Sequence, residues 1–167
     1  MHVFRAFIVG VFIAMVGGLA GVASAQGTQV AFGNVSQDSS LPVEVTADSL
    51  DVDQNDGTAI FSGNVLIGQG EMRLSAPRVT VVYLKDNSGI DRLQATGGVT
   101  LVSGEDAAEA SQADYNVQTG MIDMQGDVLL VQGRSALTAE KMIVDTKAGT
   151  ARMSGRVKTV LQPESAN

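Results

Sequence analysis

The chain has no cysteine and no tryptophan, and it holds three prolines, one histidine and only 4% aromatic residues in 167. Without cysteine there is no disulfide, no thiol nucleophile, no thiolate metal site and no anchoring through a lipidated cysteine. The single imidazole, His2, sits in a leader-like segment, so a processed chain has no Ser-His-Asp or Cys-His system and no histidine-ligated metal. Carboxylates remain, but Asp48, Asp114 and Glu140 recur at one position of a repeated frame, which argues for structure over a single active site. No catalytic residue, cofactor or metal is therefore expected. Positive charge is scarce too: 11 basic residues face 18 acidic ones, a formal net charge of −7. Nucleic acid, which needs a basic face to displace its counterions, is a poor partner. The bases beyond Arg5, such as Arg73, Arg92, Lys141 and Arg156, are scattered on alternating segments and read as a solvated face.

What is present begins with a targeting signal. Arg5 provides the positive region, residues 6–20 carry no charge, and Ala23-Ser24-Ala25 is a small-residue cleavage site that leaves Gln26 first. Residues 1–25 thus read as a cleaved secretory signal peptide. The apolar run is short and interrupted by Gly17, Gly18 and Gly21, which disfavours a retained membrane anchor. Residues 26–40 are polar and weakly patterned and are expected to be a flexible N-terminal segment, and residues 162–167 a disordered tail. One domain with its own core is expected over 41–161.

Within that domain nearly every stretch alternates apolar and polar residues, the period of a strand with one buried face. Four strands share a frame in which glycine precedes x-Val: Ser62-Gly63-Asn64-Val65, Thr96-Gly97-Gly98-Val99, Gln125-Gly126-Asp127-Val128 and Ser154-Gly155-Arg156-Val157. The frames recur at roughly thirty residues, the range of a repeated supersecondary unit. A second frame precedes each: Ala47-Asp48-Ser49-Leu50, Ala76-Pro77-Arg78-Val79, Ala113-Asp114-Tyr115-Asn116 and Ala139-Glu140-Lys141-Met142. Turns at Asn55-Asp56-Gly57, Asn87-Ser88-Gly89, Thr119-Gly120 and Ala148-Gly149 close hairpins. Residues 105–113, rich in Ala and Glu, are read as a strand because the other units place one there. Residues 51–62 alternate oxygen ligands like a calcium loop, but Gly57 falls one position late and Ser62 stands where a glutamate is needed, so a hairpin turn is the better reading. A glycine inside a strand marks a bulge or a bend. Four at matched positions predict an all-β, antiparallel jellyroll of four repeats, with two facing twisted sheets, slightly open.

These frames resemble the OstA-like family of periplasmic lipopolysaccharide-transport bridge proteins. The match rests on Ala47-Asp48-Ser49-Leu50-Asp51-Val52 followed by Phe61-Ser62-Gly63-Asn64-Val65-Leu66-Ile67-Gly68-Gln69-Gly70, with weaker copies to about Leu161. Pro77 departs from the usual acid of the second copy, and the turn at residues 86–90 is peculiar to this chain. The resemblance implies export to the periplasm of a Gram-negative cell and a cleft holding the lipid A acyl chains of lipopolysaccharide. It also implies head-to-tail self-assembly and joining to inner- and outer-membrane components of the same fold. The groove lining it implies is Phe61, Val65, Ile67, Met72, Leu74, Val81, Leu93, Val99, Leu101, Tyr115, Val117, Met124, Val128 and Leu130. Two other readings share the alternation: a secreted structural or adhesive β-repeat protein with a filled interior, and a membrane-tethered relative of the same fold.

Overall fold

Alternation builds the strands, and breaks in the alternation fold them. In the computed structural model, which describes residues 27–33, 38 and 40–161, eleven strands run β1 (Thr28–Ala31), β2 (Glu44–Thr46), β3 (Ser49–Asp53), β4 (Thr58–Gln69), β5 (Met72–Tyr83), β6 (Ile90–Ser103), β7 (Asp106–Asn116), β8 (Met121–Gln132), β9 (Ser135–Asp145), β10 (Thr150–Ser154) and β11 (Lys158–Val160). The segment read as a signal peptide and the tail after Leu161 lie outside the described residues. Pairing is antiparallel throughout, in the order β1-β10-β9-β8-β7-β6-β5-β4-β2, with β3 also on β4 and β11 also on β9. The chain is thus a meander of hairpins, and among the described residues there is no helix.

Each long strand from β4 to β9 turns a corner near its middle, where the register slips. In β4, β6 and β8 the corner is the glycine frame: Gly63-Asn64, Gly97-Gly98 and Gly126-Asp127 all hold positive φ, and the inward position jumps by four, as from Met124 to Val128. In β5, β7 and β9 the inward position jumps by three, as from Ala76 to Val79, Ala110 to Ala113 and Ala139 to Met142. The corners therefore divide the sheet. A first half-sheet comprises β3, β4 over 58–62, β5 over 78–83, β6 over 90–96, β7 over 112–116, β8 over 121–125, β9 over 141–145, β10 and β1. A second comprises β2, the other halves of β4 to β9, and β11. Their inward side chains form one core cluster, as a jellyroll requires.

The corners pack against one another residue by residue. A Cβ on Gly63 would meet Asp48, on Gly97 Pro77, on Gly126 Ser111 and on Gly155 Glu140. The backbone N–H groups of Asp48 and Glu140 donate to the carbonyls of Gly63 and Gly155, both at 2.9 Å, and the Ser111 hydroxyl donates to that of Gly126. The third member of this set is thus Ser111 and not Asp114, which the sequence frame selects; Asp114 lies three residues past the corner, opposite Asp123 in the ladder. Pro77 stands in a central strand at little cost because the register shift between Ser75 and Arg78 leaves no ladder bond for it to donate.

The N-terminal segment departs from expectation. Thr28–Ala31, read as part of a loose stretch, is a strand whose four residues pair with β10, and Phe32 beyond it is buried. Val30-Ala31-Phe32 is too short an apolar run to register as periodicity, and its pairing partner lies at the far end of the chain. The loop at residues 54–57 is the hairpin turn expected, in which the Asp53 carboxylate accepts the backbone N–H of Asn55 at 2.8 Å. No cluster able to hold a metal ion occurs among the described residues.

Candidate functional site

The apolar inner face is built jointly by β1, β2 and β4 to β10, each of which sends side chains into the core cluster or packs them against it. Val65, Ile67, Met72, Leu74, Val81, Leu93, Val99, Leu101, Tyr115, Met124, Val128 and Leu130 all point into it with no more than 2% of their surface exposed. Phe61 and Val117 lie at its margin, half-buried against the same cluster. The structure brings the whole candidate set together in a single layer between the half-sheets. Ile122, Met142, Val144 and Met153 extend that layer towards β10, buried like the rest.

The half-sheets join at the corners and end in opposite rows of turns, so the side away from the corners is the mouth. Tips of the first half-sheet are the turns at 54–57, 84–89, 117–120 and 146–149, and tips of the second are at 70–71, 104–105 and 133–134. Polar groups are concentrated here. Gln69, Ser103 and Thr146 are the buried polar side chains among the described residues, each at or next to a tip. The Tyr115 hydroxyl, from the first half-sheet, donates to Gln69 Oε1 of the second at 2.5 Å, and Gln69 Nε2 donates to the Leu41 carbonyl at 2.8 Å. Burial pushes the Tyr115 phenol above its ordinary value, against a smaller opposing pull from hydrogen bonding with Thr146. Sequence reasoning selects neither Gln69 nor Phe32. Gln69 sits in the Gly68-Gln69-Gly70 string, where it reads as a turn residue and nothing marks its side chain as inward.

At the end of the jellyroll away from β10, the inner face runs out into solvent. Leu50 and Val52 of β3 stand opposite Phe61 and Ala59, on the inward side, yet are 52% and 62% exposed. Val52 and Tyr83 are the apolar rim of a cleft of about 510 Å³ that is also lined by Asp53, Gln54, Gly57, Thr58 and Asn87. The outer face is polar, with cross-strand groups such as Lys141 and Asp123 at 2.6 Å and Gln94 donating to Asp114 at 3.1 Å.

A helix-free antiparallel sheet, bent over at aligned corners around one continuous apolar layer, defines an open-ended β-jellyroll protein. The family described as LptA/(LptD N-terminal domain) LPS transport protein matches residues 44–150, and the chain belongs to that family. An uncharacterised protein of Rhizobium meliloti is 28% identical over 158 residues, covering 88% of this chain and 85% of its own. The lipopolysaccharide export system protein LptH of Pseudomonas aeruginosa is 25% identical over 162 residues, covering 86% and 91%, and LptA of Escherichia coli K12 is 25% identical over 139 residues, covering 77% and 75%. The fold matches the crystal structure of LptH, described as the LptA homologous periplasmic component of the lipopolysaccharide transport device of P. aeruginosa. The TM-score is 0.68 at 21% identity, over 76% of this chain and 99% of that one.

Proposed function

We propose that this protein carries lipopolysaccharide through the periplasm, with the lipid A acyl chains between the half-sheets and the sugars and phosphates outside the mouth. The observation that carries the reading is the inner face itself: one apolar layer continuous from β4 to β10, with its rim left uncovered at Leu50 and Val52. Each methylene moved from water into such a layer contributes about 0.8 kcal/mol, and the contact is non-directional, so a chain held there can slide. Met72, Met124, Met142 and Met153 add side chains able to repack around it. The net charge of −7 offers the anionic head group no attraction, which suits its place in water. Export rests on the signal peptide read at residues 1–25.

Transfer between copies rests on the edges. β3 and β2 end the two half-sheets on one side, and β1 and β11 end them on the other. Unpaired edges accept another chain, and joining one end to the opposite end of a second copy builds a filament. Inner- and outer-membrane components of the same fold would cap that filament.

Photo-crosslinking in cells tests the carrier reading, with the reactive amino acid at the inward Phe61, Tyr115 and Leu130 and at their neighbours Ser62, Asn116 and Leu129. Lipopolysaccharide adducts from the inward set alone support a lipid conduit. Silence from the inward set in an exported, folded protein leaves the second reading, a structural β-repeat protein with an ordinary core, which the near-complete burial of the inner layer favours.

A further inference from the structure

The short strand β1 does more than add a rung to the sheet. It pairs with β10, Thr28 opposite Met153 and Ala31 opposite Thr150, at the outer border of the first half-sheet. The next two residues leave the ladder. The Phe32 N–H donates to the Gly149 carbonyl at 2.9 Å, on a tip of the first half-sheet. The Gly33 N–H donates to Asp106 Oδ2 at 2.8 Å, on a tip of the second. Gln132, at the end of β8 in the second half-sheet, donates through Nε2 to the Ala31 carbonyl at 2.7 Å and to Asp106 Oδ2 at 3.0 Å. Within three residues the backbone has crossed the mouth.

Between those two anchors one side chain enters the apolar layer. Phe32 is 4% exposed and belongs to the core cluster, while Thr28, Gln29 and Ala31 face solvent and Val30 is half-buried. An aromatic held by a four-residue edge strand and a few polar contacts is the most detachable member of the core. Among the described residues, every other large buried side chain sits on a long strand paired on both sides or on β10, itself paired to β9. Gly33 is fitted closely: φ is +76° there, and a Cβ would lie 2.6 Å from the Ser103 hydroxyl oxygen.

We propose that Phe32 and Gly33, carried on a β1 that stays paired to β10, form a strap that shuts the mouth at the β10 end, with Phe32 occupying in the empty protein the place an acyl chain of lipopolysaccharide takes on loading. The inference rests on the carrier reading above. It accounts for an inner face that is open at the β3 rim and yet closed at the β10 end: there the protein fills its own groove, and lipid must displace the filling. An acyl chain then competes with Phe32, so the apparent affinity is the intrinsic affinity scaled by the fraction of molecules with the strap released.

Two variants of the full mature chain test it, each first checked for native circular dichroism and each titrated with purified lipopolysaccharide. The pair Gly33→Cys and Ser103→Cys, in a protein with no other cysteine, ties the strap to the second half-sheet, the glycine Cβ position lying 3.3 Å from Ser103 Cβ. Oxidised, this protein is expected to bind at least tenfold more weakly than after reduction with dithiothreitol. Phe32→Ala removes the competitor and is expected to bind severalfold more tightly than the parent. Equal binding by the oxidised and reduced forms overturns the strap while leaving the carrier reading intact, and so does loss of binding in a folded Phe32→Ala protein. If the parent chain itself fails to bind lipopolysaccharide, the carrier reading falls and the strap falls with it.

Discussion

Tyr115 and Gln69 clasp the two half-sheets across the mouth, hydroxyl to amide oxygen at 2.5 Å, from strands β7 and β4 that are not neighbours in the sheet. The Tyr115 ring belongs to the apolar layer, and its hydroxyl reaches the polar row at the tips. Tyr115→Phe keeps the ring and deletes the bond, leaving a buried amide oxygen short of one donor. A loss of about 1–2 kcal/mol is expected, read from the urea midpoint at unchanged slope. In a cycle with Gln69→Met the two changes are expected to be non-additive by about 1 kcal/mol, since either one breaks the same contact. Full additivity would mean that the clasp holds nothing.

The same hydroxyl makes stability depend on alkaline pH. Burial raises the folded phenol above the ordinary value of 10.0, so above pH 10 the unfolded chain gives up a proton that the folded chain still holds. The contribution is complete below pH 10 and is lost as pH climbs from there through the higher folded value. Denaturation curves from pH 8 to 11 are expected to show a steeper alkaline fall for the parent than for Tyr115→Phe. Ultraviolet titration in a Tyr83→Phe background isolates the Tyr115 transition, which is expected above pH 10 in the folded state.

The corners are the part of the fold most legible in the sequence, because glycine inside an alternating strand weakens an uninterrupted ladder and suits a bend at positive φ. Strand identity, the antiparallel meander and the two-sheet bend all follow from that pattern with the period of two. The partner of each corner glycine is less legible. Ala113-Asp114 imitates the Ala47-Asp48 frame, while the true equivalent, Ala110-Ser111, carries no acid; only the contact of Ser111 with Gly126 separates them. Phe32 and Gln69 are hidden for a different reason. Their roles come from long-range closure of the mouth, through contacts that span 73 and 46 positions of the chain, and local pattern says nothing of that.

Gly126 and Gly98 separate the two things a corner glycine does. Both hold positive φ, +83° and +97°, so alanine at either is expected to strain the backbone by about 1–2 kcal/mol. At Gly98 nothing lies within 4 Å of the added Cβ, whereas at Gly126 it would fall 2.7 Å from the Ser111 hydroxyl oxygen and 2.8 Å from Ser111 Cβ. Gly126→Ala is therefore expected to destabilise by at least about 1 kcal/mol more than Gly98→Ala. Adding Ser111→Gly is expected to recover that excess and leave the backbone part. Equal midpoints for the two single variants would show that the corners are held by φ alone and not by close packing between successive strands.

The proposed end-to-end assembly would place its heaviest demand on the edge strand β3, where Leu50 and Val52 present inward-side apolar groups to solvent. A second copy continuing the sheet would cover both, extending the apolar layer without a break from one molecule to the next. An aspartate there would be buried without a partner at the joint, at a cost of several kcal/mol, yet it would remain in water in the monomer. Val52→Asp is accordingly expected to weaken self-association at least tenfold in sedimentation velocity over a concentration series, with a change in monomer stability within about 0.5 kcal/mol. Thr28 and Gln29, exposed on β1 at the opposite edge, provide the complementary test, because a filament needs both ends. Proline at Gln29 is expected to reduce assembly as Val52→Asp does, and mixing the two variants is expected to yield dimers joined through their intact ends and nothing longer. Filaments of undiminished length from Val52→Asp would exclude β3 as the joint.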